Sequence, residues 1–558
     1  MRNAVLSILA AIVSGILLGV IVPPFNLGPL VWVALVPLIV VLWRPREKRA
    51  GLKAAGLGWI AGMISFGIHV HWLNEVSWLG ALALPAYLAL YPAAFAWFAA
   101  TLGNPFCDGP EIEIRRWPII RRSLGFAFRN AAVWAGLELL RGWVITGFGW
   151  NGLGIAFHQF PLMAQAADLL GVVGLSMLPA FVQFTLIQTA RRMALTAHDG
   201  IRRTKLDFIF ATLIVLLCAI YGVYRISSEK SREFIPLKSL LVQLNVPQEA
   251  ARQLWDSPTI HIGYEDETLA GLEKYPDAQW VIWPEVAVTR PILSAGDGQW
   301  GTWQENQVTF DRIRANHDYQ FLFGVNEIEA KPAPNGELAA SPDSRMWNSL
   351  AVLDPDGNLE RFRKHHLVIF GETIPLVDRF PWLKKIYEQQ AGVSFHGSFT
   401  PGQSLDPLPV PAGDQTIGVI PSICFEDTVP RLTRKFVRPG PQVIVNVTND
   451  GWFKESAAAA QHFANSRFRA IELRRPMLRC ANSGVSGAID TTGFVVHPVS
   501  GRPQLLLDEN GSSFLRGSLL AESRIPIRPA TTLYSLIGDW GVTLLGLGAF
   551  GISFLRRR

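Results

Sequence analysis

The feature that most constrains this chain is a series of uncharged apolar runs about as long as a lipid bilayer is thick. A spanning helix needs roughly 17 to 25 apolar residues. Five runs come close to that length: 4–22, 54–74, 79–103, 169–190 and 208–224. Three weaker candidates are shorter or carry charged residues, and with them we expect eight spans: 30–43, 127–146 and 533–555. The composition agrees, since 49% of the 558 residues are hydrophobic and only 17% are charged.

The first run has an alternative interpretation as a secretory signal peptide, because Arg2 precedes it. The run is long, however, and it ends in VIVPPFN without a small-x-small cleavage pattern. We therefore expect a retained helix.

The distribution of Lys and Arg predicts the orientation, because these residues concentrate in cytoplasmic loops. The loops after the second, fourth and sixth predicted spans are basic, whereas those after the first, third and fifth hold no Lys or Arg. We predict a membrane domain of about seven helices over 1–225, a domain on the far side of the membrane over 226–530, and a last spanning helix with a basic tail over 531–558. The basic residues of the predicted cytoplasmic loops then account for the net charge of +6, and we expect no nucleic-acid partner.

The sequence pattern of the region 226–530, short apolar runs separated by polar stretches, predicts a layered α/β domain. Short, nearly continuous apolar runs predict strands covered on both faces, at 239–246, 280–285, 321–326, 349–355, 416–423 and 442–450. Helices are predicted at 428–437 and 457–475, and LDPDGN at 353–358 predicts a hairpin turn and so a mixed sheet.

Polar residues follow three of these predicted strands. Glu285 follows VIWP, Cys424 follows VIPSI, and Asn449 follows VIVNVT. The carboxyl ends of strands gather the site in layered α/β folds, so these residues can converge. Each of them alone is better explained as an ordinary polar strand end, and Asn449 is equally well explained as an Asx turn.

Lys364 favours the interpretation that these residues form a site, although the basic patch around it can also be a solvated face. A carboxylate, a lysine and a cysteine together form an acyl-transfer set. The carboxylate takes the thiol proton, and the lysine with a backbone N–H stabilises the oxyanion. A helix starting near 427–430, capped by Asp427, is expected to favour the thiolate.

The chain has four cysteines, too few for a disulfide framework. Cys107 falls in a predicted cytoplasmic loop and Cys218 in a predicted span. A disulfide between Cys424 and Cys480 is an alternative role for those two residues. Without a CxxC pair or a His-rich pair we expect no metal site, and we expect no cofactor.

The motifs together resemble the bacterial apolipoprotein N-acyltransferases, membrane-embedded members of the nitrilase (carbon–nitrogen hydrolase) superfamily. Single pieces such as WPE are weak signals, but the order of the pieces along the chain is specific. They are GFGWNGLG (147–154), ADLLGVVGLS (167–176), VQLNVPQ (242–248), WPEVAV (283–288), RKHHLVIFGE (363–372), SICFED (422–427), NVTNDGWF (446–453) and RAIELRRPMLRCANSGVSGAID (469–490).

The resemblance implies an α-β-β-α sandwich as the catalytic domain and assigns roles to residues. Glu285 is implied to be the general base, Lys364 the stabilising lysine and Cys424 the acylated nucleophile, with Glu372 and Glu426 in support. Three further residues are implied to lie near the substrate: Trp255, Asn449 and Phe425, the last where tyrosine is frequent.

The implied reaction is ping-pong in the bacterial inner membrane, with the catalytic domain on the periplasmic side. A phospholipid acylates the cysteine, and the α-amine of a diacylglyceryl apolipoprotein then takes the acyl chain. We expect a monomer. Two other hypotheses remain at this point: a membrane-tethered amidase or nitrilase that uses the same groups on a small C–N substrate, and a non-catalytic scaffold with the same fold.

Two loops with aromatic residues, 291–303 and 381–397, are predicted to form a mobile lid that dips into the membrane. The residues concerned are Trp300, Trp303, Trp382 and Phe395. The alternative is that these side chains pack into the core.

Overall fold

A computed structural model describes most of the chain. The described residues are 2–44, 50–106, 116–195, 204–249, 252–296, 298–315, 317–334, 337–374, 377, 379–391, 397–497 and 500–556. The predictions made for Cys107, Phe395 and part of the basic loops lie outside these residues.

The chain divides into two compact units. A helical unit comprises Met1–Asn74, Trp78–Lys230 and Thr532–Arg558, and a second, sheet-containing unit comprises Glu75–Ser77 and Ser231–Thr531.

The helical unit consists of apolar helices of unequal length. Within the described residues, four stretches are long and apolar enough to cross a membrane, one of them formed by Trp78–Leu88 and Leu90–Ala100 together, and a bent pair supplies a fifth if it counts as one span. The α-helices are Arg2–Val20, Val36–Leu42, Ala50–His69, Trp78–Leu88, Leu90–Ala100, Arg116–Arg141, Pro161–Ala164, Ala167–Leu175, Met177–Leu195, Leu206–Lys230, Leu533–Ile537 and Trp540–Leu555.

Local sequence explains why some predicted spans are broken. The bent pair changes direction by 58° between Ala167–Leu175 and Met177–Ala194. The first of its helices also has non-helical backbone at Leu170 and Gly171, where Gly171 has φ +73°. Of the weaker candidates, 30–43 and 533–555 form short helices, and 127–146 lies largely within the charged helix Arg116–Arg141. Eight spans therefore stay a prediction.

The second unit contains two mixed β-sheets, which is the fold class predicted from the sequence. Its strands in chain order are β1 (Phe234–Gln243), β2 (Gln248–Glu249), β3 (Arg252–Gln253), β4 (Trp280–Ser294), β5 (Trp300–Gly301), β6 (Gln320–Glu329), β7 (Lys331–Pro332), β8 (Leu338–Ala339), β9 (Met346–Leu353), β10 (Leu359–Arg363), β11 (Leu408–Ala412), β12 (Gln415–Ile423), β13 (Gln442–Thr448), β14 (Met477–Ala481), β15 (Gly487–Ile489) and β16 (Gly517–Pro526).

The first sheet has the order β10-β9-β6-β4-β1-β16, with β5 paired to β4, and the second has the order β11-β12-β13-β14-β15. Strands β1, β4 and β6 run parallel, as do β12, β13 and β14, while the outer strands pair antiparallel. The carboxyl ends of neighbouring parallel strands lie at the same edge of a sheet, and the candidate site residues lie near that edge.

Helices cover both sheets. Ser257–Lys274 and Gln304–Arg314 pack on the first sheet through a core that includes Tyr264, Trp283 and Phe310. Ala457–Leu473 packs on the second sheet through β14, and β13 and β14 pack against β4 of the first sheet. The result is an α-β-β-α sandwich.

Four of the six predicted strands match observed strands to within three residues, whereas β1 begins five residues earlier than predicted and β4 ends nine residues later. LDPDGN connects the antiparallel strands β9 and β10. The helix predicted at 457–475 is observed as Ala457–Leu473. The helix predicted at 428–437 is observed in a shorter form, as a four-residue α-helix, Pro430–Thr433, continued by a 3-10 turn, Arg434–Phe436. A separate 3-10 turn, Cys424–Thr428, precedes it.

Cys480 lies between the sheets, fully buried. Its thiol donates to the carbonyl of Val242 at 3.4 Å and to that of Ile282 at 3.1 Å. Cys218, Cys424 and Cys480 are all free thiols, so the Cys424–Cys480 disulfide is not formed. Burial raises the pKa of the Cys480 thiol, which further suppresses its reactivity.

We expect Cys480 to be inert in the folded protein for this reason. A maleimide reagent should modify Cys480 only after denaturation, as measured by peptide mass mapping of the Cys424→Ser variant and of the unaltered chain. Rapid labelling of Cys480 under native conditions would contradict its placement between the sheets.

Candidate active site

The structure brings Glu285, Lys364 and Cys424 together from three different elements. Glu285 lies in β4, Lys364 directly follows β10, and Cys424 directly follows β12. The Lys364 Nζ atom lies 3.4 Å from Glu285 Oε1, and the Cys424 thiol interacts electrostatically with the Glu285 carboxylate. Residues up to 139 positions apart in sequence thus share one site.

Lys364 is buried with two carboxylates beside it. Its side chain is 1% exposed, and Nζ lies 2.9 Å from Glu372 Oε2. Burial lowers the pKa of a lysine, but here Glu372 and Glu285 outweigh burial and raise the pKa. The ammonium therefore keeps its charge inside the protein, which oxyanion stabilisation requires.

Asn348, which the sequence analysis missed, joins the two carboxylates. Its Nδ2 donates to Glu285 Oε1 at 2.8 Å and to Glu372 Oε1 at 2.7 Å. Two buried carboxylates repel each other, and one amide that donates to both reduces that repulsion. The only sequence signal was a polar residue at the start of an otherwise apolar strand, β9.

Glu285 is fixed by its backbone surroundings as well. Val286, the next residue, has φ +52°, a strained value for a β-branched side chain. Gly324 on the neighbouring strand β6 allows this close approach, because a Cβ there would lie 2.5 Å from the Glu285 Cα. Burial, and secondarily the charge of Glu372, raises the pKa of Glu285 although Lys364 opposes the shift.

Cys424 occupies a strained position at the end of β12, with φ +53°. Asn446 holds the turn by donating from Nδ2 to the Cys424 carbonyl at 3.1 Å. Burial and the Glu285 carboxylate raise the thiol pKa well above its usual value. The expected thiolate, favoured by a helix start, is therefore wrong; the resting group is a thiol that needs a base.

Glu426 connects the cysteine turn to the lysine segment. Its Oε1 accepts the backbone N–H groups of His365 at 2.7 Å and His366 at 2.9 Å, and its Oε2 accepts that of Ile423 at 2.9 Å. Burial raises the pKa of Glu426 to about 7, and Lys364 with these donors limits the rise. The carboxylate thereby fixes the separation of Lys364 and Cys424.

The three residues expected to line the site have different surroundings. Asn449 donates its backbone N–H to Glu285 Oε2 at 3.1 Å, while its side chain accepts from the N–H of Gly451 at 3.0 Å, so it is an Asx turn and a site contact at once. Phe425 stacks on His366, with ring centroids 5.9 Å apart. Trp255 is half-buried and packs against the core of the first sheet.

Asp427 does not cap a helix, so that prediction is wrong. Its side chain is buried, and Oδ1 lies 2.7 Å from His462 Nε2. Within the described part of the chain, no three or more His, Cys, Asp or Glu side chains are arranged to hold a metal ion.

The tryptophans of the two aromatic loops differ in how far they are exposed. Trp300 lies in β5 and packs against the core of the first sheet. Trp303 and Trp382 are 53% and 57% exposed. Core packing therefore accounts for Trp300, and the lid stays a prediction for the other two.

Comparison with known proteins yields matches along most of the chain. A family described as "Apolipoprotein N-acyltransferase N-terminal domain" matches residues 14–185. A second family, "Carbon-nitrogen hydrolase", matches residues 260–520. The second match contains every candidate site residue except Trp255.

Curated relatives match over nearly the full length. The apolipoprotein N-acyltransferase of Methylococcus capsulatus is 30% identical over 99% of this chain and 96% of its own. The enzyme of that name from Allorhizobium ampelinum is 30% identical over 98% of this chain and 96% of its own. The one from Geobacter metallireducens is 29% identical over 87% of this chain and 86% of its own.

We expect Asn348→Ala to lower activity on the order of 10²-fold, because misplaced catalytic groups lose that much rate. The variant leaves Glu285 and Glu372 without their shared donor. The matched control is Asn358→Ala, an exposed asparagine in the hairpin turn after β9. Equal activity in both variants, measured on purified folded protein, would contradict the role assigned to Asn348.

Proposed function

The chain belongs to the apolipoprotein N-acyltransferase family, and we propose that it moves an acyl chain from a membrane phospholipid to the α-amino group of a lipoprotein's N-terminal diacylglyceryl-cysteine. The observation that carries this proposal is the buried pair of Glu285 and Lys364, whose carboxylate also interacts electrostatically with the Cys424 thiol. It supplies a base, a cation and a nucleophile in one place.

In the first half-reaction, Glu285 takes the proton from the Cys424 thiol. A raised thiol pKa makes this base necessary, and the raised pKa of Glu285 suits it to hold the proton afterwards. The sulfur attacks the carbonyl carbon of the phospholipid ester. The Lys364 ammonium and the backbone N–H after Cys424 stabilise the oxyanion of the tetrahedral intermediate.

Collapse of that intermediate breaks the ester C–O bond. The leaving lysophospholipid oxygen takes the proton from Glu285, and the acyl chain remains on Cys424 as a thioester. In the second half-reaction the lipoprotein α-amine attacks the thioester carbonyl and transfers a proton to Glu285. The C–S bond then breaks, and Glu285 returns a proton to the Cys424 sulfur, which completes the cycle.

Glu372 and Glu426 have supporting roles in this proposal. Glu372 keeps Lys364 charged through a contact of 2.9 Å. Glu426 holds the lysine segment against the cysteine turn. Phe425, Asn449 and Trp255 are proposed to lie along the substrate path.

The helical unit favours this reaction over hydrolysis of a small C–N substrate. A tethered amidase needs one anchor, whereas at least four helices here are long and apolar enough to span. We propose the bacterial inner membrane as the location, with the sandwich unit on the periplasmic side, a monomeric state, and the bilayer as the source of both substrates.

Incubation with a phospholipid mixture should increase the intact mass of the enzyme by one acyl chain. Cys424→Ala should form no adduct, and Glu285→Gln should slow adduct formation by about 10²- to 10⁴-fold because it lacks the base. The control is Glu249→Gln, an exposed glutamate in β2. Ammonia release from a small amide without any adduct would favour the hydrolase instead.

A non-catalytic scaffold predicts a different result in cells. If the chain were a scaffold, Cys424→Ser would rescue cells depleted of lipoprotein N-acylation as well as the unaltered chain does. We expect no such rescue.

The exposed Trp303 and Trp382 are proposed to enter the lipid as parts of a lid. Phospholipids brominated in their acyl chains should quench less tryptophan fluorescence in a Trp303→Phe/Trp382→Phe variant than in the unaltered chain. Comparing the two proteins removes the contribution of tryptophans in the helical unit. Identical quenching would contradict the lid.

A further inference from the structure

A second charged cluster lies behind the nucleophile and has no part in the steps above. It consists of Asp427, Asp450, His462 and Arg479, whose side chains are at most 3% exposed. We name it the rear cluster. Buried charges are expensive unless they are paired, so four of them in one place need an explanation.

His462 bridges the two acids of the rear cluster. Its Nε2 lies 2.7 Å from Asp427 Oδ1, and its Nδ1 lies 2.7 Å from Asp450 Oδ1. An ionised carboxylate only accepts hydrogen bonds, so both ring nitrogens donate and the ring is an imidazolium. Burial lowers the pKa of His462, but the two carboxylates outweigh burial and raise the pKa to about 9.

Arg479 completes the charge balance. Its Nη2 lies 3.1 Å from Asp450 Oδ2 and 3.0 Å from His462 Nδ1, and its Nη1 donates to the carbonyl of Val485 at 2.7 Å. The close contact between the Arg479 guanidinium and the His462 imidazolium is stabilised because the carboxylates of Asp427 and Asp450 lie beside these two cations. With His462 protonated, two negative and two positive charges sum to zero.

The rear cluster joins the two turns that hold the reacting groups. Asp427 belongs to the turn Cys424–Thr428. Asp450 follows Asn449, whose N–H donates to Glu285. A side chain on the helix Ala457–Leu473 therefore connects the nucleophile turn to the turn that positions the base.

Close packing shows that this arrangement is specific. A Cβ on Gly484, which has φ +122°, would lie 2.4 Å from Asp450 Oδ2. The chain therefore passes directly over the Asp450 carboxylate at a glycine. Asp450 and Arg479 also act electrostatically on Cys424, in opposite directions.

We propose that His462, as an imidazolium held between Asp427 and Asp450, is a positioning residue for acyl transfer. It fixes the Cys424 turn relative to the turn that holds Glu285, and it keeps the charge behind the nucleophile at zero. This inference rests on the proposed function. Loss of the His462 proton would leave one uncompensated negative charge behind Cys424, which disfavours the attacking thiolate.

The expected pH dependence follows from the raised pKa of His462. The bridge is complete below about pH 6.5, the ordinary pKa of histidine, and it is lost as the pH rises through about 9. The charged groups facing the ring are Asp427 from the cysteine turn, Asp450 from the turn after β13 and Arg479 from β14. The rate of Cys424 acylation should therefore fall above about pH 9.

The test measures the rate constant of Cys424 acylation by phospholipid in the full-length protein. His462→Gln should lower this rate constant on the order of 10²-fold. The phospholipid KM should stay within about twofold, since the residue is buried away from substrate. The fall of the acylation rate above about pH 9, the alkaline limb of the pH profile, should disappear. The matched control, His497→Gln, removes a histidine 3.3 Å from Glu522 and should change neither rate nor profile.

A double variant separates charge balance from general damage. Asp427→Asn combined with His462→Gln restores zero net charge, so the pair should react at least about tenfold faster than His462→Gln alone. Additive losses, or an unchanged alkaline limb in His462→Gln, would overturn the inference. If His462→Gln cannot be purified, the pH profile of the unaltered enzyme still tests the inference. An acylation rate that keeps rising through pH 10 would overturn it.

Failure of the inference differs from failure of the proposed function. No acyl adduct on the unaltered enzyme would remove the proposed function. A normal adduct, together with His462→Gln kinetics equal to those of the unaltered chain, would overturn only the role of His462.

Discussion

One buried ammonium group organises the sandwich unit. Lys364 is 1% exposed and lies between Glu285 and Glu372. Moving such a charge out of water is costly by several kcal/mol unless partners replace the solvent. The Asn348 amide, the strained backbone at Val286 and the three N–H donors to Glu426 all serve to keep those partners in place.

Cys424 lies between two clusters of buried charged groups. In front of it, Glu285 and Glu372 share Lys364. Behind it is the rear cluster, with His462 at its centre. The turn at Asn449 and Asp450 touches both, since its N–H reaches Glu285 and its carboxylate reaches His462. A change in either cluster therefore reaches the nucleophile without any contact to substrate.

The two units differ in how well the sequence predicted them, for a physical reason. Strands covered on both faces read as continuous apolar runs, and β12 and β13 were located to within two residues. Membrane spans were predicted less well, because one candidate divides into a bent helix pair and charged residues occupy another helix, Arg116–Arg141. The helix predicted after Cys424 forms only as Pro430–Thr433 and a 3-10 turn, and Asp427 contacts His462 instead of capping it.

The sequence alone determined the fold class, the order of the motifs and the three chemical groups at 285, 364 and 424. These depend on residue type and on local hydrophobic period, both of which are visible in one dimension. Contacts across the fold establish that Asn348 joins two carboxylates, that burial and Glu285 raise the pKa of the Cys424 thiol, and that Asp427 faces His462 rather than a helix end. Burial and partners across the fold fix those properties, and a residue's neighbours in sequence do not reveal them.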